Sequence, residues 1–208
     1  MISLYVGPIG CGKTCFATKL LLENKSKYNH CIANFPTALA DFFVFDDLET
    51  KFPKPNSFVV VDEAGICANN RNYKSFGLGK IEYFKLSGHN GDITQNLYKG
   101  DDIVIFSQCY NDMDITIRNL VTKLWFLRRV GFFCIAKRVY KDPSHIDQNG
   151  QIVDGYSHKP FILEAIYSLF AKKENKTLRL CFLPKYWKYH IRYSMPYRER
   201  LTAQTLEV

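Results

Sequence analysis

Gly7-Pro8-Ile9-Gly10-Cys11-Gly12-Lys13-Thr14 fits the pattern G-x-x-x-x-G-K-[ST] in full, and it stands near the start of the chain. Each part of the pattern has a physical task. Glycines let backbone N–H groups curl around phosphate oxygens, the lysine reaches the β- and γ-phosphates, and the hydroxyl ligates Mg²⁺. The pattern makes Gly7, Pro8, Ile9, Gly10, Cys11, Gly12, Lys13, Thr14 and Cys15 the expected nucleotide-contacting residues, with Thr14 a metal ligand. Its flanks agree. Ile2-Ser3-Leu4-Tyr5-Val6 is a β-prone run before the loop, and residues 15–24 after it read as an amphipathic helix.

A second element lies downstream. Phe58-Val59-Val60-Val61 is an apolar run of the kind buried on both faces of a parallel sheet, and Asp62-Glu63 follows at once. Asp62 beside Thr14 is placed to hold Mg²⁺ through water. Glu63, one step on, is placed to polarise a water for attack on the γ-phosphate, a task that a hydrolase needs and a kinase excludes. A third strand, Ile103-Val104-Ile105-Phe106, runs into Ser107-Gln108. A polar residue at such a strand tip lies at the ligand edge of an α/β sheet, so Gln108 is the expected orienter of the attacking water. Arg118 is the first candidate for the arginine that neutralises transition-state charge, ahead of Arg128, Arg129 and Arg71. The catalytic set read from the sequence is therefore Glu63, Gln108 and Arg118, with Thr14 and Asp62 on the metal and ATP with Mg²⁺ as the ligands.

Between these signals the chain alternates strands and helices. Strands are expected at residues 31–35 and 42–45, a short helix at 81–86 and another at 115–120. Gly65 to Gly79 reads as a mobile connection, and Gly88 to Gly100 as a polar excursion. Two long strands at 123–129 and 132–140 are joined at Gly131. This order predicts an α/β P-loop NTPase fold with a mostly parallel sheet flanked by helices. We divide the chain into a P-loop ATPase core, residues 1–140, and a basic, β-rich, aromatic C-terminal extension, residues 141–208, packed on that core.

Charge draws nearly the same division. Residues 1–120 carry 12 Lys/Arg against 13 Asp/Glu, whereas residues 121–208 carry 16 against 7, so the net charge of +8 comes wholly from the later part. Such a surplus attracts phosphate-rich partners or serves solubility. With 47% hydrophobic and 15% aromatic residues, the chain is far too apolar for a disordered one. No run reaches the ~18 apolar residues of a membrane span; the nearest, Leu124 to Ala136, is broken by Arg128 and Arg129. The first residues lack the basic and apolar regions of a signal peptide. Seven scattered cysteines (11, 15, 31, 67, 109, 134, 181) without metal-ligand spacing suit a reduced, cytoplasmic setting.

The phosphate loop, Val60-Val61-Asp62-Glu63-Ala64, a helix ending near His89, Ile103-Val104-Ile105-Phe106-Ser107-Gln108 and Asp114-Ile115-Thr116-Ile117-Arg118 follow in an order with a known counterpart. From Met1 to about Leu127 the chain resembles the N-terminal ATPase domain of the zonular occludens toxin family, which includes the filamentous-phage assembly (gene I) proteins. The resemblance implies an ATPase at the host inner membrane that drives virion assembly, DNA packaging or export. It also implies subunits that form a ring and complete one another's sites. Phage coat or assembly proteins and single-stranded DNA are the implied partners. By position, Lys13, Thr14, Asp62 and Glu63 carry over as the nucleotide and Mg²⁺ site, Gln108 as the sensor, and Arg118 as the arginine. The chain departs from the family in three places. It has no spanning segment, it carries Gly88-His89-Asn90 where the family often has Arg-His, and it has an extra polar segment, Asp92 to Gly100.

Leu183 to Tyr193 interleaves cations with rings. Such a stretch suits packing on the core, stacking on single-stranded nucleic acid, or peripheral contact with a membrane surface. Two readings compete with the motor. One is a P-loop kinase for a nucleoside or small metabolite, against which no arginine-rich lid helix is found. The other is a nucleotide-gated adaptor, against which the Asp62-Glu63 pair argues.

Overall fold

The computed structural model of the chain describes residues 1–45, 53–54, 56–67, 78–88, 101–139, 177–187 and 189. Arg71, His89, the polar segment 92–100, residues 141–176 and most of the 65–79 connection lie outside them.

Three runs of uninterrupted apolar residues form the centre of a sheet. These are β1 (Ile2–Val6), β4 (Ser57–Val61) and β5 (Asp102–Ser107). Every residue of β1 and β4 is buried, as expected for strands covered on both faces. The flanking strands are β2 (His30–Ala33), β3 (Asp41–Phe42), β6 (Lys123–Val130), β7 (Phe133–Val139) and β8 (Leu178–Phe182). Among the described residues they make one eight-stranded sheet in the order β3-β2-β4-β5-β1-β6-β7-β8. The strands from β3 to β6 pair in parallel, and β7 and β8 add antiparallel strands at one edge. The mostly parallel α/β architecture expected from the sequence is present. β8 belongs to the 141–208 segment, so part of that extension continues the core sheet instead of packing on it from outside.

Alternate residues of each central strand feed different sides of the sheet. On one side, helix α1 (Lys13–Asn24) packs Phe16, Leu20 and Leu21 against Tyr5, Val60, Phe106 and Trp125. On the other, α3 (Leu78–Gly88) supplies Tyr83 and Phe84, and α4 (Ile115–Leu120) supplies Ile117, against Leu4, Val61, Ile105 and Leu124. Two short helices complete the set, α2 (Ala64–Cys67) after β4 and α5 (Leu183–Trp187) after β8. No helix among the described residues is long and apolar enough to cross a membrane.

A ring stack joins the added strands to the parallel core. Tyr5 of β1 stacks on Trp125 of β6 with centroids 5.6 Å apart and planes 4° from parallel, and on Phe106 of β5 at 5.0 Å. Arg179 of β8 lies 4.7 Å over the Trp125 ring and donates to the Tyr5 hydroxyl at 3.0 Å. Burial pushes the Tyr5 hydroxyl pKa up to about 12, against the pull of Arg179. One of the cations that the sequence left to a surface is therefore spent on a core stack. Trp125→Ala is expected to cost about 3–5 kcal/mol in a urea unfolding titration, from lost burial and the cavity it leaves. A loss below about 1 kcal/mol would show that the stack does not support the fold.

Candidate functional site

Four parallel strands reach the same edge of the sheet, and each ends on a polar or glycine residue. Asn34 follows β2, Asp62-Glu63 follows β4, Gln108 follows β5, and Gly7 follows β1. Carboxyl ends of parallel strands are where α/β sheets hold ligands. Gly7 N–H donates to the Ser107 carbonyl at 3.1 Å, which closes the start of the loop against the end of β5.

The loop between β1 and α1 is left-handed at two glycines, Gly10 (φ +76°) and Gly12 (φ +98°). A side chain at Gly12 is excluded twice over, by the backbone angle and by Leu183 Cδ2, which would lie 2.6 Å from its Cβ. Gly12 is the N-cap of α1 and no side chain caps it, so the first-turn N–H groups are left for an anion. Lys13 starts the helix and is buried; its ammonium donates to the carbonyls of Gly7 at 2.9 Å and Pro8 at 3.0 Å. The cation is thus folded back over the loop that the sequence assigned to phosphate.

Thr14 Oγ1 donates to Asp62 Oδ2 at 2.7 Å. That bond joins the first turn of α1 to the end of β4, although β5 separates β1 from β4 in the sheet. Burial raises the Asp62 pKa above its ordinary value, opposed by the hydrogen bonds from Thr14 and from the Glu63 N–H (3.0 Å to Oδ1) and by the nearby charge of Lys13. A buried carboxylate held this way gains from a bound cation. A hydroxyl and a carboxylate oxygen in contact are the hard-oxygen donors that Mg²⁺ takes, alongside phosphate and water. No cluster of three or more His, Cys, Asp or Glu suited to a metal occurs among the described residues.

Glu63 has φ +52°, a left-handed conformation that costs a non-glycine residue energy and marks functional turns. Asn34 holds the peptide before it, and sequence reasoning missed this residue. Its Oδ1 accepts from Asp62 N–H at 2.7 Å and its Nδ2 donates to the Asp62 carbonyl at 2.8 Å. The two bonds fix both backbone polar groups of Asp62 where β4 stops. The expected strand 31–35 ends instead at Ala33, because Asn34 turns its amide towards the neighbouring strand.

Gln108 is exposed at the same edge, one residue past β5. Arg118 has a different setting. It is 8% exposed, its guanidinium lies 5.2 Å over Tyr110, and Nη1 donates to Asn111 at 3.1 Å. Arg118 is thus packed against Tyr110 and Asn111 below the surface. Among the described residues, Arg129 reaches the phosphate loop: it donates to the Gly10 carbonyl at 3.4 Å and to the Gly131 carbonyl at 3.0 Å.

A phosphate loop between β1 and α1, β1 at the middle of a parallel sheet, and an acidic strand end bonded to the loop threonine define the architecture. The fold is that of a P-loop NTPase. Two solved structures are similar to this chain. One is the N-terminal domain of zonular occludens toxin from Neisseria meningitidis, 18% identical, covering 69% of this chain and 86% of that one, with a TM-score of 0.49. The other is the genome packaging NTPase B204 from Sulfolobus turreted icosahedral virus 2 in complex with ATP-gammaS, 11% identical, covering 86% of this chain and 96% of that one, with a TM-score of 0.44. No protein-family model and no curated protein matches the chain.

Asn34→Ala removes both bonds to the Asp62 backbone. It is expected to lower stability by about 1–3 kcal/mol and to reduce turnover more than nucleotide affinity, read as a kcat loss larger than any rise in Kd. An equal loss in both would assign Asn34 a purely structural role.

Proposed function

We propose that the chain is a Mg²⁺-dependent ATPase of the assembly-motor type, coupling hydrolysis to filamentous virion assembly, DNA packaging or extrusion. The observation that carries the hydrolytic part is the Thr14–Asp62 contact of 2.7 Å with Glu63 held next to it in a left-handed turn. In this reading the first-turn N–H groups of α1 bind the triphosphate. Lys13 exchanges the carbonyls of Gly7 and Pro8 for phosphate oxygens. Thr14 and Asp62 hold Mg²⁺, which when bound neutralises charge on the phosphates. Glu63 accepts the proton of the water whose oxygen attacks the γ-phosphorus as the bond to the β–γ bridging oxygen breaks and ADP leaves, and Gln108 orients that water.

The motor part rests on the order of Asp62-Glu63-Ala64, Ser107-Gln108 and Asp114 to Arg118, and on the surplus charge after residue 120. A ring of identical subunits, phage coat or assembly proteins, single-stranded DNA and the cytoplasmic face of the host inner membrane are the proposed partners and place. Because Arg118 is buried, Arg129 is the stronger candidate among the described residues for the arginine that meets the phosphates.

Phosphate release from Mg-ATP, measured with and without single-stranded DNA at several protein concentrations, tests the proposal. Glu63→Gln is expected to keep nucleotide binding and cut release about a hundred- to ten-thousandfold. Lys13→Ala is expected to abolish nucleotide binding. Normal turnover by Glu63→Gln would place the base elsewhere, and phosphate transfer to a nucleoside in place of release would make the chain a kinase.

A further inference from the structure

The position of the phosphates restricts where the rest of a nucleotide can lie. The γ end belongs near Lys13, Asp62 and Glu63, on the side of β1 that carries β5 and β4. The α end belongs at the first turn of α1, at the N–H groups of Thr14 and Cys15. The nucleoside therefore leaves the loop on the opposite side, towards β6, β7 and β8.

That side is built by the β6–β7 turn and α5. Leu183 covers Gly12, and its N–H donates to the Phe132 carbonyl at 2.9 Å, which ties α5 to the turn. The Cys181 thiol points at the Cys15 carbonyl at 3.7 Å. Trp187 ends α5, four residues and about one helical turn beyond Leu183, so the two positions share a face of that helix. Tyr186, one residue earlier, is buried at 8% exposure, yet Trp187 is 51% exposed. The chain has two tryptophans, and the other, Trp125, is fully buried. A half-exposed indole one turn from the residue that covers Gly12 stands beside the loop, on the side where a base would pass. Arg129, bonded to the Gly10 carbonyl, stands on the same side of the loop.

We propose that Trp187 forms the nucleobase subsite of the phosphate loop, its ring stacking on the base of a bound nucleoside triphosphate. The proposal rests on the nucleotide-binding reading above. Stacking uses the π face that every base has, so the contact adds affinity without choosing between adenine and guanine. It also gives α5 a reason to be clamped to the start of α1 by Leu183 and Cys181.

The test measures the affinities of the full chain for Mg-ATP, Mg-GTP and inorganic tripolyphosphate in wild type, Trp187→Ala and Trp187→Phe. Trp187→Ala is expected to weaken ATP and GTP alike, about ten- to a hundredfold, and to leave tripolyphosphate unchanged. Trp187→Phe is expected to keep most of the affinity, because a ring remains. Unchanged ATP affinity in Trp187→Ala overturns the subsite, and so does a parallel loss of ATP and tripolyphosphate, which would mean that Trp187 only supports the loop. A wild-type chain that binds none of the three overturns the nucleotide reading itself together with the subsite.

Discussion

The hydrogen bond from Thr14 to Asp62 is the contact on which the rest of the arrangement depends. Its two residues are 48 positions apart, one in the first turn of the helix after β1 and the other just past β4, and those two strands are not neighbours in the sheet. The bond forms because β5 spaces β1 and β4 so that a helix starting over β1 presents its first turn to the end of β4. Burying Asp62 is unfavourable, and its raised pKa expresses that. Three donors or charges offset the cost: the Thr14 hydroxyl, the Glu63 N–H and the ammonium of Lys13. A cation bound to Asp62 would offset that cost further, and its binding would then be coupled to stability.

The surroundings are explained by keeping that contact rigid. Asn34 fixes the Asp62 backbone from one side. Gly12, left-handed and pressed by Leu183, fixes the start of α1 from the other. Glu63 takes up the remaining backbone distortion in its left-handed turn. The antiparallel strands β7 and β8 appear peripheral in sequence order, but they carry Arg179 into the Tyr5–Trp125 stack and α5 onto the phosphate loop. The C-terminal part thus contributes to the architecture of the site as well as to the charge of the chain.

The features legible in the sequence were those set by local chemistry. Uninterrupted apolar runs at Ile2–Val6, Phe58–Val61 and Ile103–Phe106 mark strands buried on both faces, and the glycine-rich octet marks the loop between the first of them and α1. Knowing that these strands are parallel then places Asp62, Gln108 and Gly7 at one edge. Features made by contact between distant segments were not legible. An asparagine after a strand reads as a turn residue, and nothing local to Asn34 announces two bonds to a backbone 28 positions away. The choice between Arg118 and Arg129 depends on burial, which a helix-borne and a strand-borne arginine do not reveal by spacing. Trp187 read as one ring in a basic, aromatic tail, because the loop that α5 packs on lies at the other end of the chain.

The proposed hydrolysis requires Thr14 and Asp62 to hold a divalent cation. Steady-state phosphate release from ATP by the wild-type chain, before and after chelation of divalent ions and again after excess Mg²⁺ is restored, tests it most directly. Release is expected to stop on chelation and to return with Mg²⁺; release that continues undiminished in the chelator would rule out the cation.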